Sequence, residues 1–298
     1  MSSEGASSNA GSWFEPGFPD PHFFCTLLIR LPWKTNLTLS VKKETSVMRI
    51  RSLVPILLLS TLFACNEKED LVTEPLTDYL PLAAGKYITY RLDSLVFPDF
   101  GRKTEVHKYQ VRHQVDTLVT DNLGRPSWRI YRFIRDSAGL QPWRSHGTYW
   151  VTMAADQAEN IDDNLRVIKL HQPVRSGFQW KGNRYLSDNP YGSLFNFSND
   201  DNMADWDFRY SGTGGSFSYQ GRTYTNVITV EQADESFNVP ITSTNAYAAR
   251  SRSVERYSKG IGLVYREYEL WEYQPNTGGA GGPYKTGFGI TQWMIDRN

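Results

Sequence analysis

Lys86-Tyr87-Ile88-Thr89-Tyr90-Arg91-Leu92-Asp93 is the stretch that decides the fold. Ile88, Tyr90 and Leu92 fall on one side of an extended chain, and Thr89, Arg91 and Asp93 on the other. Side chains alternate across a strand, so this period of two predicts a strand with one buried face. A longer stretch repeats the pattern. Tyr109, Val111, Val115 and Val119 point inward, while Lys108, Gln110, Arg112, Gln114 and Asp116 point to water. Asp121-Asn122-Leu123-Gly124 then carries turn chemistry, and residues 128–135 return as the next strand, so a hairpin is expected.

Short strand candidates continue outward from this hairpin, at 149–153, 165–170, 178–180, 206–210 and 217–219. Ser211-Gly212-Thr213-Gly214-Gly215 separates the last two, and Gln220-Gly221 leads into residues 223–231. Strong late strands are expected at 262–273 and 287–295. Gly278-Gly279-Ala280-Gly281-Gly282 reads as a hairpin loop, since it lacks the strand-to-helix context of a nucleotide loop. Gly85 and Gly260 suit turns that need positive φ before a strand. Only residues 245–258 suggest a helix, made mostly polar by Arg250, Arg252, Glu255 and Arg256. The expectation is an all-β fold with few helices. It is a single antiparallel meander domain over residues 76–298, closed as a barrel or half-barrel, or folded as a sandwich.

Composition agrees with a folded core. The chain has 298 residues, of which 14% are aromatic and 21% charged. Lys plus Arg and Asp plus Glu both count 32, so the net charge is zero. No basic excess points to nucleic acid as a partner.

Two cysteines are present, Cys25 and Cys65. A disulfide between them is the simple reading for an exported protein. The surroundings of Cys65 favour another. Met48-Arg49-Ile50-Arg51 supplies a start residue and two cations, and residues 52–63 form an apolar run ending at Ala64-Cys65. This is the order of a secretory signal: charged region, apolar region, small residue at the cleavage point. The apolar run is too short to cross a hydrocarbon core of ~30 Å as a mature helix.

Leu62-Phe63-Ala64-Cys65 resembles a lipobox, the recognition site of lipoprotein signal peptidase, with Phe63 bulkier than the usual occupant. The resemblance implies cleavage between Ala64 and Cys65, a lipid on the Cys65 thiol, and a membrane reached through that anchor. Residues 1–47 hold no recognisable domain and are read as an upstream mis-start or a disordered extension; a second targeting segment is the competing account. Residues 48–64 are then the signal peptide and residues 65–75 a flexible acidic tether. Lys68-Glu69-Asp70 resembles the export signal that sends lipoproteins of the Bacteroidota to the outer face of the cell, with a plain solvated tether as the alternative. Tyr79-Leu80-Pro81-Leu82-Ala83-Ala84-Gly85-Lys86-Tyr87 and Lys259-Gly260-Ile261-Gly262-Leu263-Val264-Tyr265-Arg266-Glu267 are similar to segments of Bacteroidota envelope lipoproteins of unknown function. The placement implied is the cell envelope, at the outer membrane and open to surface exposure.

The search for chemistry yields little. There is no His-Glu-x-x-His, no Gly-x-Ser-x-Gly and no phosphate loop. His107 and His113 lie six residues apart on one strand face, too far to chelate one metal together, and His113 reads as a packed, hydrogen-bonded core residue. Asn199-Asp200-Asp201-Asn202 with Asp205 and Asp207, and Asp162-Asp163-Asn164, offer oxygens for calcium but fit turns better. No metal, cofactor or catalytic residue is assigned. Of the tryptophans, Trp143 beside Pro142 and Trp206 beside the acidic loop are expected to be exposed and to offer a ligand platform. The function expected is a membrane-anchored envelope lipoprotein that binds an apolar ligand or a partner, with lipid, glycan and protein as candidates. A hydrolase acting on envelope glycans is the alternative; it needs two carboxylates ~5–9.5 Å apart in one cleft.

Overall fold

The alternation at Ile88, Tyr90 and Leu92 belongs to a strand, Tyr87–Val96 (β1). A computed structural model describes residues 73–198, 202–276, 278 and 281–298. The chain divides into two units, residues 1–69 and 70–298, and the described residues all lie in the second. The signal segment 48–64, Cys65 and Lys68-Glu69-Asp70 lie outside the described residues, as do Asn199, Asp200 and Asp201.

The remaining strands follow in order: Glu105–Thr120 (β2), Pro126–Asp136 (β3), Arg144–Met153 (β4), Gln157–Asp162 (β5), Leu165–His171 (β6) and Gln179–Lys181 (β7). The second half holds Asp207–Tyr219 (β8), Arg222–Phe237 (β9), Ala248–Ser258 (β10), Gly262–Gln274 (β11) and Tyr284–Arg297 (β12). Two single-turn 3-10 helices, Leu76–Asp78 and Met203–Asp205, are the only helical pieces among the described residues. The fold is all-β, as the alternation predicts.

All twelve strands join one antiparallel sheet in the order β6-β5-β4-β3-β2-β1-β12-β11-β10-β9-β8-β7. Each half of the chain is a meander, and β1 pairs with β12 to join the halves. The sheet curls into a nearly closed barrel, so β6 and β7, its two ends, approach each other. Ile168 N–H donates to the Gly182 carbonyl at 2.8 Å, and Trp180 Nε1 donates to the Ile168 carbonyl at 2.9 Å. The Tyr210 hydroxyl donates to the His171 carbonyl at 2.7 Å. Edge strands that find such partners no longer template aggregation. Gly182 is required at this seam, because a Cβ there would lie 2.2 Å from the Phe208 ring.

Two expectations are corrected. Residues 245–258 do not form a helix; β10 runs through them, hydrogen-bonded to β9 and β11. Residues 206–219 are not two strands about a glycine turn either. Residues 207–219 form one strand, β8, whose register shifts beside Gly212 and Gly215. Gln220-Gly221 is the turn, with Tyr219 facing Arg222 across it. Gly85 and Gly260 do adopt positive φ, 81° and 73°. Asp162-Asp163-Asn164 is a tight hairpin, with Asp163 and Asn164 left-handed and Asp162 opposite Leu165. β11 and β12 pair as a hairpin with Gln274 opposite Tyr284, and Gly278 and Gly282 in the connection have positive φ.

The barrel interior is filled unevenly. Leu76, Tyr79, Ile168, Leu170, Trp180, Phe208, Tyr210, Ile228, Val230 and Tyr257 form the largest apolar cluster, around the seam. The connection from β7 to β8 supplies Tyr191, Phe197, Met203 and Trp206, which pack on Tyr268, Leu270, Phe288 and Ile290. On β11 and β12 those positions share a face with Arg266 and Gln292, which oppose each other in register. The barrel is therefore plugged on one side of Arg266 and Gln292. An open volume remains on the other.

Candidate functional site

The open volume is a cavity of about 140 Å³. That is room for on the order of ten water molecules. Its upper wall is apolar. The exposed lining residues Lys86, Gly260, Arg297 and Asn298 mark its mouth, where Leu80, Pro81 and Leu82 also lie, and Ile88, Val115, Ile130 and Val151 line the sides. The segment before β1 is held across the mouth by Gly260 N–H, which donates to the Asp78 carbonyl at 2.7 Å. Lys259 adds ion pairs to Glu74 at 2.8 Å and Asp78 at 3.2 Å.

The floor is polar and charged. Glu255, on β10, is 1% exposed. Its Oε1 accepts from Lys169 Nζ at 2.7 Å, and its Oε2 accepts from the Tyr257 hydroxyl at 2.7 Å and Gln232 Nε2 at 3.1 Å. Arg266 Nε stands 3.3 Å from Oε1. Burial works to raise the Glu255 pKa, but Lys169 and Arg266 outweigh it and hold the carboxyl below its ordinary value. Burial lowers the Lys169 amine, with Glu255 working the other way. Arg132, on β3, is engaged by both oxygens of Asp162, at 2.9 and 2.8 Å.

His113 and Tyr149 complete the floor. The Tyr149 hydroxyl lies 3.0 Å from His113 Nδ1. Burial drives the imidazole pKa down to about 3, helped by the Coulombic influence of Arg132, Arg266 and His146. His113 is therefore neutral at neutral pH, the hydrogen-bonded core residue its apolar strand face suggests. Burial likewise pushes the Tyr149 phenol up.

The site is defined as much by what its atoms lack. Among the described residues, five buried side-chain polar atoms have no hydrogen-bond partner. Four of them belong to residues that line this cavity: Arg132 Nε, Asn160 Oδ1, Arg266 Nε and Gln292 Nε2. Buried polar groups are normally paired, and each exception costs about 1–3 kcal/mol.

The tryptophans singled out in the sequence do not line the cavity. Trp143 and Trp206 are both half-buried rather than exposed. Trp143 lies between two guanidinium groups, with Arg135 4.2 Å and Arg112 4.8 Å from its ring. Trp206 packs against the apolar clusters at the seam and the plugged end. Trp150 is more open, at 39% exposed. Asn202 Nδ2 donates to Asp205 Oδ2 at 3.0 Å, and Asp207 pairs with Lys181, so the described part of the acidic loop is engaged internally. Among the described residues, no group of three or more His, Cys, Asp or Glu is placed to share a metal ion.

Glu255, Lys169, Arg266, Arg132 and Gln292 were not singled out as a site by the sequence. One signal was available. Arg132 sits between Ile130 and Ile134 on one strand face, so a charge occupies an inward position. Nothing local in the sequence links it to Arg266.

No family model matches this sequence, and no curated protein is similar to it. Solved structures similar in part include a DUF1329 family protein from Desulfovibrio piger. It is 11% identical, with 74% of this chain and 88% of that chain covered and a TM-score of 0.18. Another is a domain from Vibrio parahaemolyticus, provisionally described as an outer membrane lipoprotein-sorting protein. It is 12% identical, with 72% and 85% covered and a TM-score of 0.18. Among the described residues no helix is long and apolar enough to cross a membrane.

Proposed function

We propose that this chain is a ligand-binding protein of the cell envelope, which takes one small molecule into the interior of its barrel. The cluster of unpaired polar atoms around the cavity carries this reading. A pocket with apolar walls and a few convergent polar groups is the general form of a small-molecule site. Binding rather than catalysis fits the floor. Glu159 and Glu255 are held below the ordinary carboxyl range by their arginine and lysine neighbours, although burial opposes this. A general acid for glycan hydrolysis needs the opposite shift. Asp162 has both oxygens committed to Arg132.

The anchor belongs to the same proposal. Lipid on Cys65 would hold the protein at a membrane, with Lys68-Glu69-Asp70 directing it to the outer face of the outer membrane. The described chain enters the barrel at the cavity mouth, through Leu80, Pro81 and Leu82.

Native mass spectrometry of the full chain with fatty acids, phospholipids and oligosaccharides tests the reading. A saturable one-to-one adduct of unchanged ligand mass is expected. Conversion of a glycan or ester, lost on changing Glu255 or Asp162, would favour the hydrolase.

A further inference from the structure

We propose that the cavity selects an organic monoanion, a carboxylate head held by Arg266, Gln292 and the His113–Tyr149 pair, with an apolar body against Val115, Ile130 and Val151. This inference rests on the ligand-binding reading above and adds the chemistry of the guest.

Charge is the first argument. The cavity is lined by five cations, Lys86, Arg132, Lys169, Arg266 and Arg297, against three carboxylates, Glu159, Asp162 and Glu255. The carboxylates are already matched. Glu159 pairs with Arg125 and Arg166, Asp162 with Arg132, and Glu255 with Lys169. Of the three cations that remain, Lys86 and Arg297 are exposed, which leaves the half-buried Arg266. Its ion contact with Glu255, at 3.3 Å through Nε, does not make a hydrogen bond, since Nε is without a partner. Lys169, Tyr257 and Gln232 already occupy Glu255. A guanidinium presents its donors as a planar fork, which fits an oxyanion such as a carboxylate.

The donors around Arg266 are the second argument. Gln292 lies opposite Arg266 in register, is 4% exposed, and its Nε2 has no partner. The His113–Tyr149 pair adds another hydrogen in either tautomer. If the tyrosine hydroxyl donates to Nδ1, the imidazole Nε2–H remains free to donate. If Nδ1–H donates instead, the hydroxyl hydrogen remains. The imidazole is neutral, so this donor does not add a second charge. The set therefore presents one guanidinium and two neutral donors, which suits a single negative charge. The apolar walls above it favour a hydrocarbon body over a sugar. A cavity holding on the order of ten waters limits that body to a compact chain or ring.

The experiment is isothermal titration of the full chain with four probes that share one alkyl chain: decanoate, decanol, decylamine and decyl phosphate. Decanoate is expected to bind one-to-one, at least about tenfold tighter than decanol and decylamine. Arg266→Gln is expected to remove most of that advantage. Because this variant also strips a cation from Glu255, Gln292→Leu provides a second reading. It removes an unpaired amide, so the ligand-free protein should melt higher while decanoate binds about tenfold weaker. Decanol binding as tightly as decanoate would overturn the anion and leave the ligand-binding reading intact. Decyl phosphate or decylamine binding more tightly than decanoate would overturn the carboxylate in the same way. Absence of binding by all four probes would overturn this inference, while the mass-spectrometric screen still judges the broader one.

Discussion

Lys169 Nζ and Glu255 Oε1 meet at 2.7 Å inside the barrel, joining β6 to β10 across the interior. These strands stand far apart in the sheet order, so the pair ties the two halves of the meander together. A buried pair of this kind adds little over an apolar packing, but breaking it leaves Glu255 to the longer 3.3 Å ion contact with Arg266. Lys169→Met is expected to cost about 3–5 kcal/mol of unfolding free energy, read by urea denaturation. Changing both residues to methionine should cost less than the sum of the single changes. A single-variant loss within about 0.5 kcal/mol of zero would show that the pair is not formed.

Acid should destabilise the barrel through His113 before it reaches the carboxyls. Its folded pKa is about 3, lowered by burial and by Arg132, Arg266 and His146, with Tyr149 and Tyr90 packed against the ring. The unfolded imidazole titrates near ~6.5. Between those values the unfolded chain binds the extra proton, so stability is present above the unfolded pKa and falls as pH drops through the window. The slope contributed is ~1.4 kcal/mol per pH unit. His113→Gln should flatten the dependence of unfolding free energy on pH between 6.5 and 4. An unchanged slope in that window would refute the buried, neutral histidine.

A separate loss follows at lower pH. Asp121 is held at about 2: burial opposes its ionisation, but hydrogen bonds from Arg125 and from the Leu123 backbone outweigh it. Its stabilising share is present above the unfolded value near ~3.9 and disappears as pH falls towards 2. Asp121→Asn should remove that component while leaving the His113 component in place, as pH-resolved thermal melts would show.

The mouth makes a kinetic prediction. Lys259 ties Glu74 and Asp78 to the β10–β11 turn, and these side chains are partly exposed. Exposed ion pairs contribute little to global stability. Lys259→Ala should leave the melting temperature nearly unchanged while speeding both entry and exit of decanoate in stopped-flow measurements. Unchanged rates would show that residues 74–82 do not gate the cavity.

The sheet was legible because most strands bury one apolar face against a polar one. β1 and β2 carry that alternation openly at Tyr90, Val111 and Val115. β10 was misread as a helix for a physical reason. Its buried positions include Ser251, Ser253 and Glu255, while Arg250, Arg252 and Arg256 are half-buried. Polar residues therefore stand on both faces, and no apolar period of two is left to read. The same polar interior is what makes the site. Glu255, Lys169, Arg132 and Arg266 come from four strands, and only closure of the barrel brings them together. The seam at Ile168 and Gly182 was equally hidden, since it depends on the two ends of the sheet meeting.

The anchor rests on residues 48–70 and has its own test. Cys65→Ala should abolish incorporation of radiolabelled palmitate. Replacing Lys68, Glu69 and Asp70 by alanine should protect the protein from protease added to intact cells while leaving the label in place. Equal labelling of wild type and Cys65→Ala would refute lipidation at that residue.

The central claim is that the barrel interior is the binding site. Ile130 is 2% exposed and lines the cavity, so Ile130→Trp directs an indole into the empty volume. Isothermal titration with decanoate should give one-to-one binding to the wild type and none to a folded Ile130→Trp. Binding of equal affinity to both would contradict the account and place any ligand site elsewhere on the protein.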